Sequence, residues 1–263
     1  MAGPLIEWVF SNTTNLDPEK EPEWMEWYDY HQLMMARLPG WSWVYRYMAL
    51  LGPEKYLSLY RIETYDALKH IEGWPRVDLG QWDPVKEKIH PVALEDWYEK
   101  KLRGLAEMGK FTFTGGASKH NPHDQGHWGW RQLAGSTLDN PLLSTNRCIG
   151  TELVSVPRQN DAKWISWYKN HRFPALMRLN GIVDIGLFGI TTEGREHEPA
   201  YNYITVFELE DEATAYLLGD PSRMESEARA FWEASDARPY YELTTDVRVN
   251  YYKPISKHWS FEK

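Results

Sequence analysis

The sequence predicts an α+β fold built from two βαββαβ units whose antiparallel sheets pair within one chain. Three observations carry that expectation. The phrase W-x-x-W-Y-x-x-H occurs twice, as Trp24, Trp27, Tyr28, His31 and as Trp164, Trp167, Tyr168, His171, at a constant offset of 140 residues. The flanking landmarks recur in the same order: "EWVFS" from Glu7 and "ELVSV" from Glu152, Arg37-Leu38 with Gly40 and Arg178-Leu179 with Gly181, "LYRIE" and "VFELE". Each copy also shows the same alternation of strand-like and helix-like runs, and a period this long marks repeated domains rather than a solenoid.

The elements follow in order. "PLIEWVF" and "IGTELVSV" are short β-rich runs. In the repeated phrase, Trp24, Tyr28, His31 and Met35 fall at three- and four-residue steps, which is one face of a helix. Pro39-Gly40 and Asn180-Gly181 stop the two helices. "WSWVYRYMAL" and "KYLSLYRIE" form a hairpin around Leu51-Gly52-Pro53; "IVDIGLFGI" and "AYNYITVFELE" are their counterparts. Second helical regions are expected near 93–108 and 222–235, and closing strands at "HWGWRQLA" and "TDVRVNYYKPI". This β-α-β-β-α-β order is the ferredoxin-like unit. Helices on one face of each sheet leave the other face to be covered, and the second copy can cover it. The domains are expected at 1–140, with a His-rich inserted loop at about 109–127, and at 141–263, joined near 135–146.

Composition narrows the function. Across 263 residues, a net charge of −9 argues against a nucleic-acid or anionic membrane partner. No run of 18 apolar residues suggests a membrane span, and a single cysteine, Cys148, allows no internal disulfide. The expectation is a cytoplasmic protein, with room for a homodimer. The 14 Trp and 16 Tyr are a surplus, with ten of the Trp at or before Trp130; such side chains can stack on a small aromatic substrate or simply pack a core.

A helix carrying Tyr28 and His31, then Leu38-Pro39-Gly40, then a strand with Tyr45-Arg46-Tyr47, resembles the EthD-like family of the dimeric α+β barrel superfamily. The second copy keeps Tyr168, His171, Leu179 and Gly181 but has Asn180 where the pattern has proline. The resemblance implies a barrel of paired sheets and a range of activities: cofactor-free cyclases, isomerases, lyases and monooxygenases of phenolic or polyketide-like molecules. Some duplicated relatives bind haem. It also favours a pocket-facing role for the histidines, since related folds place ligands between helix and sheet.

The candidate catalytic residues are His31, His171, Glu7 and Tyr28. A histidine on an aromatic stripe is either a core residue with both nitrogens bonded or an acid–base group suited to neutral pH. Glu7 and Glu152 are carboxylates in apolar strands, able to orient a histidine if they face the pocket and inert if they face water. Trp27, Tyr45, Tyr47, Tyr168, His120 and His127 are the candidate substrate-binding residues, with core packing the other reading of the aromatics. Gly186 and Gly189 stand where the first copy has Tyr45 and Met48, either opening a cavity or admitting close packing.

The stretch "GGASKHNPHDQGHWGWR" has no counterpart in the second copy and holds His120, His123, Asp124 and His127. It reads as a polar lid or, alternatively, a zinc or iron site, although no ligand spacing such as H-E-x-x-H is present. No phosphate loop, nucleophile elbow or dinucleotide fingerprint occurs. The reading is an enzyme with no cofactor and no metal, a lyase or isomerase of a phenolic molecule. Its rivals are cofactor-free monooxygenation, haem or metal binding through His171 or the loop histidines, and ligand binding without turnover.

Overall fold

A computed structural model describes residues 7–14, 18–63, 67, 70, 90–105, 112–114, 129–135, 146–190, 201–235, 242–255 and 259–260. The first repeat contributes β1 (Glu7–Thr14), α1 (Glu21–Ala36), β2 (Trp41–Leu51), β3 (Tyr56–Ile62), α2 (Pro91–Leu102), β4 (Thr112–Thr114) and β5 (Gly129–Gly135). The second contributes β6 (Cys148–Ser155), α3 (Asp161–Trp167), a π-helical turn (Tyr168–Arg172), α4 (Phe173–Leu176), β7 (Ile182–Ile190), β8 (Tyr203–Leu209), α5 (Glu212–Gly219), α6 (Ser226–Ser235), β9 (Asp246–Pro254) and β10 (Trp259–Ser260).

The sheet runs β2-β3-β1-β5-β7-β8-β6-β9 and returns to β2 through the β2–β9 pairing, so eight antiparallel strands close into a barrel. β4 lies beside β5 along the edge of β1, and β10 extends the edge of β2 beyond β9. Two seams join the repeats, and their registers match. In β5–β7, Trp130 opposes Ile190; in β9–β2, Tyr252 opposes Ala49. Since β7 follows β2 at an offset of 141, Ala49 and Ile190 are equivalent positions, and the barrel closes by a pseudo-twofold, as an isologous dimer would.

The backbone repeats even where the side chains differ. The pairing of β2 with β3 shifts between Trp41 and Trp43, and that of β7 with β8 shifts between Ile182 and Asp184, an identical bulge at an offset of 141. Gly40 and Gly181 both take left-handed φ values, 79° and 87°, and each carbonyl accepts from a backbone N–H (Glu63, Glu210) at 2.8 Å. Only glycine adopts that conformation cheaply, which is why this landmark is kept in both copies.

The second helical region of each repeat differs from expectation. α2 ends at Leu102 rather than near Met108, because Gly104 takes φ 68° and closes a Schellman motif: Leu105 N–H donates to Lys100 O at 3.0 Å and Gly104 N–H to Lys101 O at 2.9 Å. In the second repeat the expected helix over 222–235 is a 3₁₀ turn at Pro221–Arg223 followed by α6.

Strand alternation divides the core into layers. Tyr45, Tyr47, Leu57, Leu59, Ile149, Leu153, Phe188, Ile204, Val206 and Tyr252 fill the barrel interior from both repeats. On the outer face Val44 and Tyr60 pack with Trp41, Trp97 and the end of α1, while Tyr56 packs with Trp24, Trp27 and Tyr28. The second repeat buries Trp164, Trp167, Tyr168, Leu187 and Tyr203 in the same way. Gly189 admits close packing, since a Cβ there would lie 2.9 Å from Leu133. Among the described residues no helix is long and apolar enough to cross a membrane.

Burial raises the hydroxyl pKa of Tyr47, Tyr60 and Tyr252 well above the ordinary tyrosine value. A raised acid pKa stabilises the fold fully below the unfolded value, about pH 10, where both states are protonated. Above it the unfolded chain loses protons that the folded chain retains, so stability falls. Unfolding monitored by tryptophan fluorescence should show a constant midpoint from pH 7 to 9 and a steep fall beyond about pH 10; a flat profile to pH 12 would contradict this burial.

Candidate active site

Amphipathic α1 turns Trp24, Trp27, Tyr28 and His31 toward the sheet. His31 sits between α1, α2 and β3, and both its ring nitrogens are engaged. Nδ1 lies 2.5 Å from Asp96 Oδ2 of α2, and Nε2 lies 3.0 Å from the Tyr60 hydroxyl of β3. The Tyr60 hydroxyl in turn lies 3.1 Å from that of Tyr28. The result is one chain of polar atoms, Asp96–His31–Tyr60–Tyr28, with every member buried. An ionised carboxylate accepts only, so Nδ1 carries the proton and Nε2 accepts from Tyr60. Burial raises both hydroxyl pKa values, most strongly that of Tyr60, and keeps the phenols protonated.

Aromatic contacts fix the imidazole. Trp27 stacks on it at 4.7 Å with an interplanar angle of 29°, and its indole N–H reaches the Asp96 carbonyl at 3.5 Å. Tyr28 meets the ring edge-on at 4.9 Å. Asp96 Oδ1 has no hydrogen-bond partner among the described residues, which leaves that carboxylate one acceptor to spare.

The selected residues of the first repeat separate into two places, and Tyr168 lies apart from both in the helix–sheet layer of the second. Trp27, Tyr28 and His31 come together, whereas Tyr45 and Tyr47 face the barrel interior on the far side of the sheet, and Arg46 takes the side that faces α1. Its guanidinium lies 4.5 Å over Tyr28 and 5.1 Å over Trp24, and pairs with Asp29 at 2.9 Å. The side chain of Glu7 and the residues His120, His123, Asp124 and His127 lie outside the described set.

His171 does not face the sheet. It is exposed, and Arg172 is buried in its stead with an ion pair to Glu152 at 2.5 Å. The second copy is one residue longer between this histidine and the Arg-Leu landmark, and the π turn at 168–172 accommodates the extra residue. The turn rotates His171 outward and puts Arg172 where His31 stands. The match of Glu7 with Glu152 also fails in register: Glu7 opposes Ile62, and the equivalent Leu209 opposes Cys148, so Glu152 is the counterpart of Ser11.

Two members of the site escaped the sequence reading. Asp96 shares a buried helix face with Ala93, Trp97 and Lys100, and a carboxylate on such a face was the available signal. Tyr60 was legible only as the outward residue of an alternating strand.

No protein-family model matches the sequence, and no curated protein sequence matches it. Solved structures do resemble it. A candidate monooxygenase from Fusobacterium nucleatum subsp. nucleatum superposes with a TM-score of 0.56 at 10% identity, over 99% of this chain and 96% of the other. An anthrone oxidase-like protein matches at 0.54 and 12% identity, over 98% and 93% of the two chains. A chlorite dismutase from Candidatus Nitrospira defluvii matches at 0.50 and 10% identity, over 95% and 92%. The chain has the dimeric α+β barrel fold. Here both halves of that barrel belong to one chain.

Neither histidine of the repeated phrase offers a haem iron an axial nitrogen. An axial imidazole must project into a slot, whereas His171 lies on open surface and His31 has both nitrogens engaged. Among the described residues no three His, Cys, Asp or Glu side chains group as metal ligands.

Proposed function

We propose that this α+β barrel is an enzyme that removes a proton from a phenolic or enolisable aromatic molecule, with His31 as base and Asp96 as its orienting carboxylate. The observation that carries the reading is the ordered chain Asp96–His31–Tyr60–Tyr28. A buried carboxylate at Nδ1 fixes the tautomer, aims Nε2 at the Tyr60 hydroxyl and stabilises the imidazolium once it forms. The Tyr60 hydroxyl accepts the substrate proton while passing its own to Nε2, so neither phenol has to become a phenolate. Trp27, stacked on the imidazole, holds its plane and favours the positive charge. The Y-x-x-H helix supports a place near the EthD-like proteins within this superfamily.

The delocalised anion left on the substrate has three fates. Returning the proton at another carbon is isomerisation, and expelling a neighbouring group is a lyase reaction. Reaction with dioxygen gives cofactor-free oxygenation. This last reading is favoured by the fold neighbours described as anthrone oxidase-like and monooxygenase. Incubation with a panel of phenols and aryl ketones, with dissolved oxygen and products followed together, separates them. Product without oxygen uptake is expected for the lyase or isomerase; stoichiometric uptake assigns oxygenation; no turnover across the panel would contradict the enzyme reading.

A further inference from the structure

We propose that Tyr60 is a redox-active residue, giving one electron to an electron-poor aryloxyl radical while its proton moves to His31. The step balances within the site. The Tyr60 O–H bond breaks, the electron reduces the aryloxyl radical to its phenolate, and the proton forms a new N–H bond at His31 Nε2. What remains is a neutral tyrosyl radical beside an imidazolium paired with Asp96.

A phenol is oxidised at low cost only where its proton has a base to go to, and here Nε2 lies 3.0 Å from the hydroxyl. Asp96, 2.5 Å from Nδ1, keeps that nitrogen protonated, leaves Nε2 as the acceptor and offsets the charge of the imidazolium. Burial raises the Tyr60 hydroxyl pKa well above the ordinary tyrosine value, so no phenolate precedes the oxidation and electron and proton leave together. The Tyr28 hydroxyl, at 3.1 Å, and Ser58 bond the same oxygen and stabilise it as a radical. Packing alone does not demand the pair. Strand register places Phe207 at the position of Tyr60, Arg172 stands in place of His31, and the second repeat still buries the layer.

The surroundings decide where the oxidation settles. Trp41 meets the Tyr60 ring edge-on at 5.4 Å, and Tyr28 connects Tyr60 to Trp24 at 4.6 Å and Trp27 at 5.2 Å, so electrons can reach Tyr60 through contacting rings. An indole that loses an electron becomes a cation, and cations already stand over the rings of α1. Arg46 lies 5.1 Å from Trp24 and 4.5 Å from Tyr28, and the Lys100 ammonium lies 5.9 Å from Trp27. Their charge opposes a second positive charge in a buried layer. Tyr60 avoids that penalty, because its positive charge leaves with the proton.

The test oxidises the full chain with 4-cyanophenoxyl radicals, made by pulse radiolysis of excess 4-cyanophenol with azide, and follows the protein by transient absorption and freeze-quenched electron paramagnetic resonance. The wild type should hold a tyrosyl radical that outlives those of exposed tyrosines, with a spectrum that narrows in protein carrying ring-deuterated tyrosine. Tyr60→Phe should remove it, and Tyr252→Phe, a change inside the barrel, should keep it. His31→Asn should slow its formation about 10²-fold, the scale of a positioned base, and wild-type formation should be slower in D₂O. The last two readouts do not depend on whether Tyr60→Phe folds. No long-lived radical, one that survives Tyr60→Phe, or formation as fast in His31→Asn as in the wild type would each overturn the assignment. Proton abstraction from a ketone or phenol plays no part in these readouts, so failure here and failure of the base assigned to His31 are distinguishable.

Discussion

Replacing His31 with asparagine is expected to lower turnover by about 10²–10⁴-fold, the usual cost of losing a general base, with the fold retained. Asparagine keeps a donor that can reach Asp96, so the carboxylate is not left buried and unpaired, whereas alanine would mix a stability loss into the kinetic one. His171→Ala should have little effect on rate, because that imidazole is exposed on the π turn. Asp96→Asn should fall between the two, since an amide can hold the ring but cannot stabilise an imidazolium. Steady-state rates with circular dichroism on each variant check the order. Equal, small losses for His31 and His171 would return both histidines to structural roles.

The second large effect is on stability. Arg172 and Glu152 are both buried, on α3's continuation and on β6, and form a close ion pair between helix and sheet. Removing one partner strands the other charge away from water, so Arg172→Met should cost roughly 3–5 kcal/mol. Adding Glu152→Leu to that variant should recover most of the loss, because an apolar pair of similar volume replaces the ions at little net cost. Urea unfolding of the two single variants and the double variant measures this coupling directly. Additive losses would show that the two side chains act independently.

The fold was readable because the repeat wrote each element twice. Pro39-Gly40 and Asn180-Gly181 marked both helix ends, and alternation placed Tyr45 and Tyr47 on one face with Arg46 on the other. The hidden parts are those that depend on phase and register. A constant offset of 140 made His171 the twin of His31, but a single inserted residue absorbed as a π turn gave that position to Arg172. Similarly, the resemblance of "EWVFS" to "ELVSV" paired Glu7 with Glu152, which lie four residues apart in register. Asp96 and Tyr60 reach His31 from 65 and 29 residues away, contacts that only the closed helix–sheet layer creates.

His31, held by Asp96 and working through Tyr60, is expected to move a proton on an aromatic substrate. Exchange of substrate hydrogen for solvent deuterium tests it without reference to the bond finally changed. An enolisable aryl ketone such as 2-tetralone, incubated anaerobically in D₂O and followed by proton NMR, should lose its α-proton signal far faster with the protein than without. Tyr60→Phe should slow that exchange, and His31→Asn should abolish the catalysed part. Exchange at the same rate in the wild type and in His31→Asn would contradict the account.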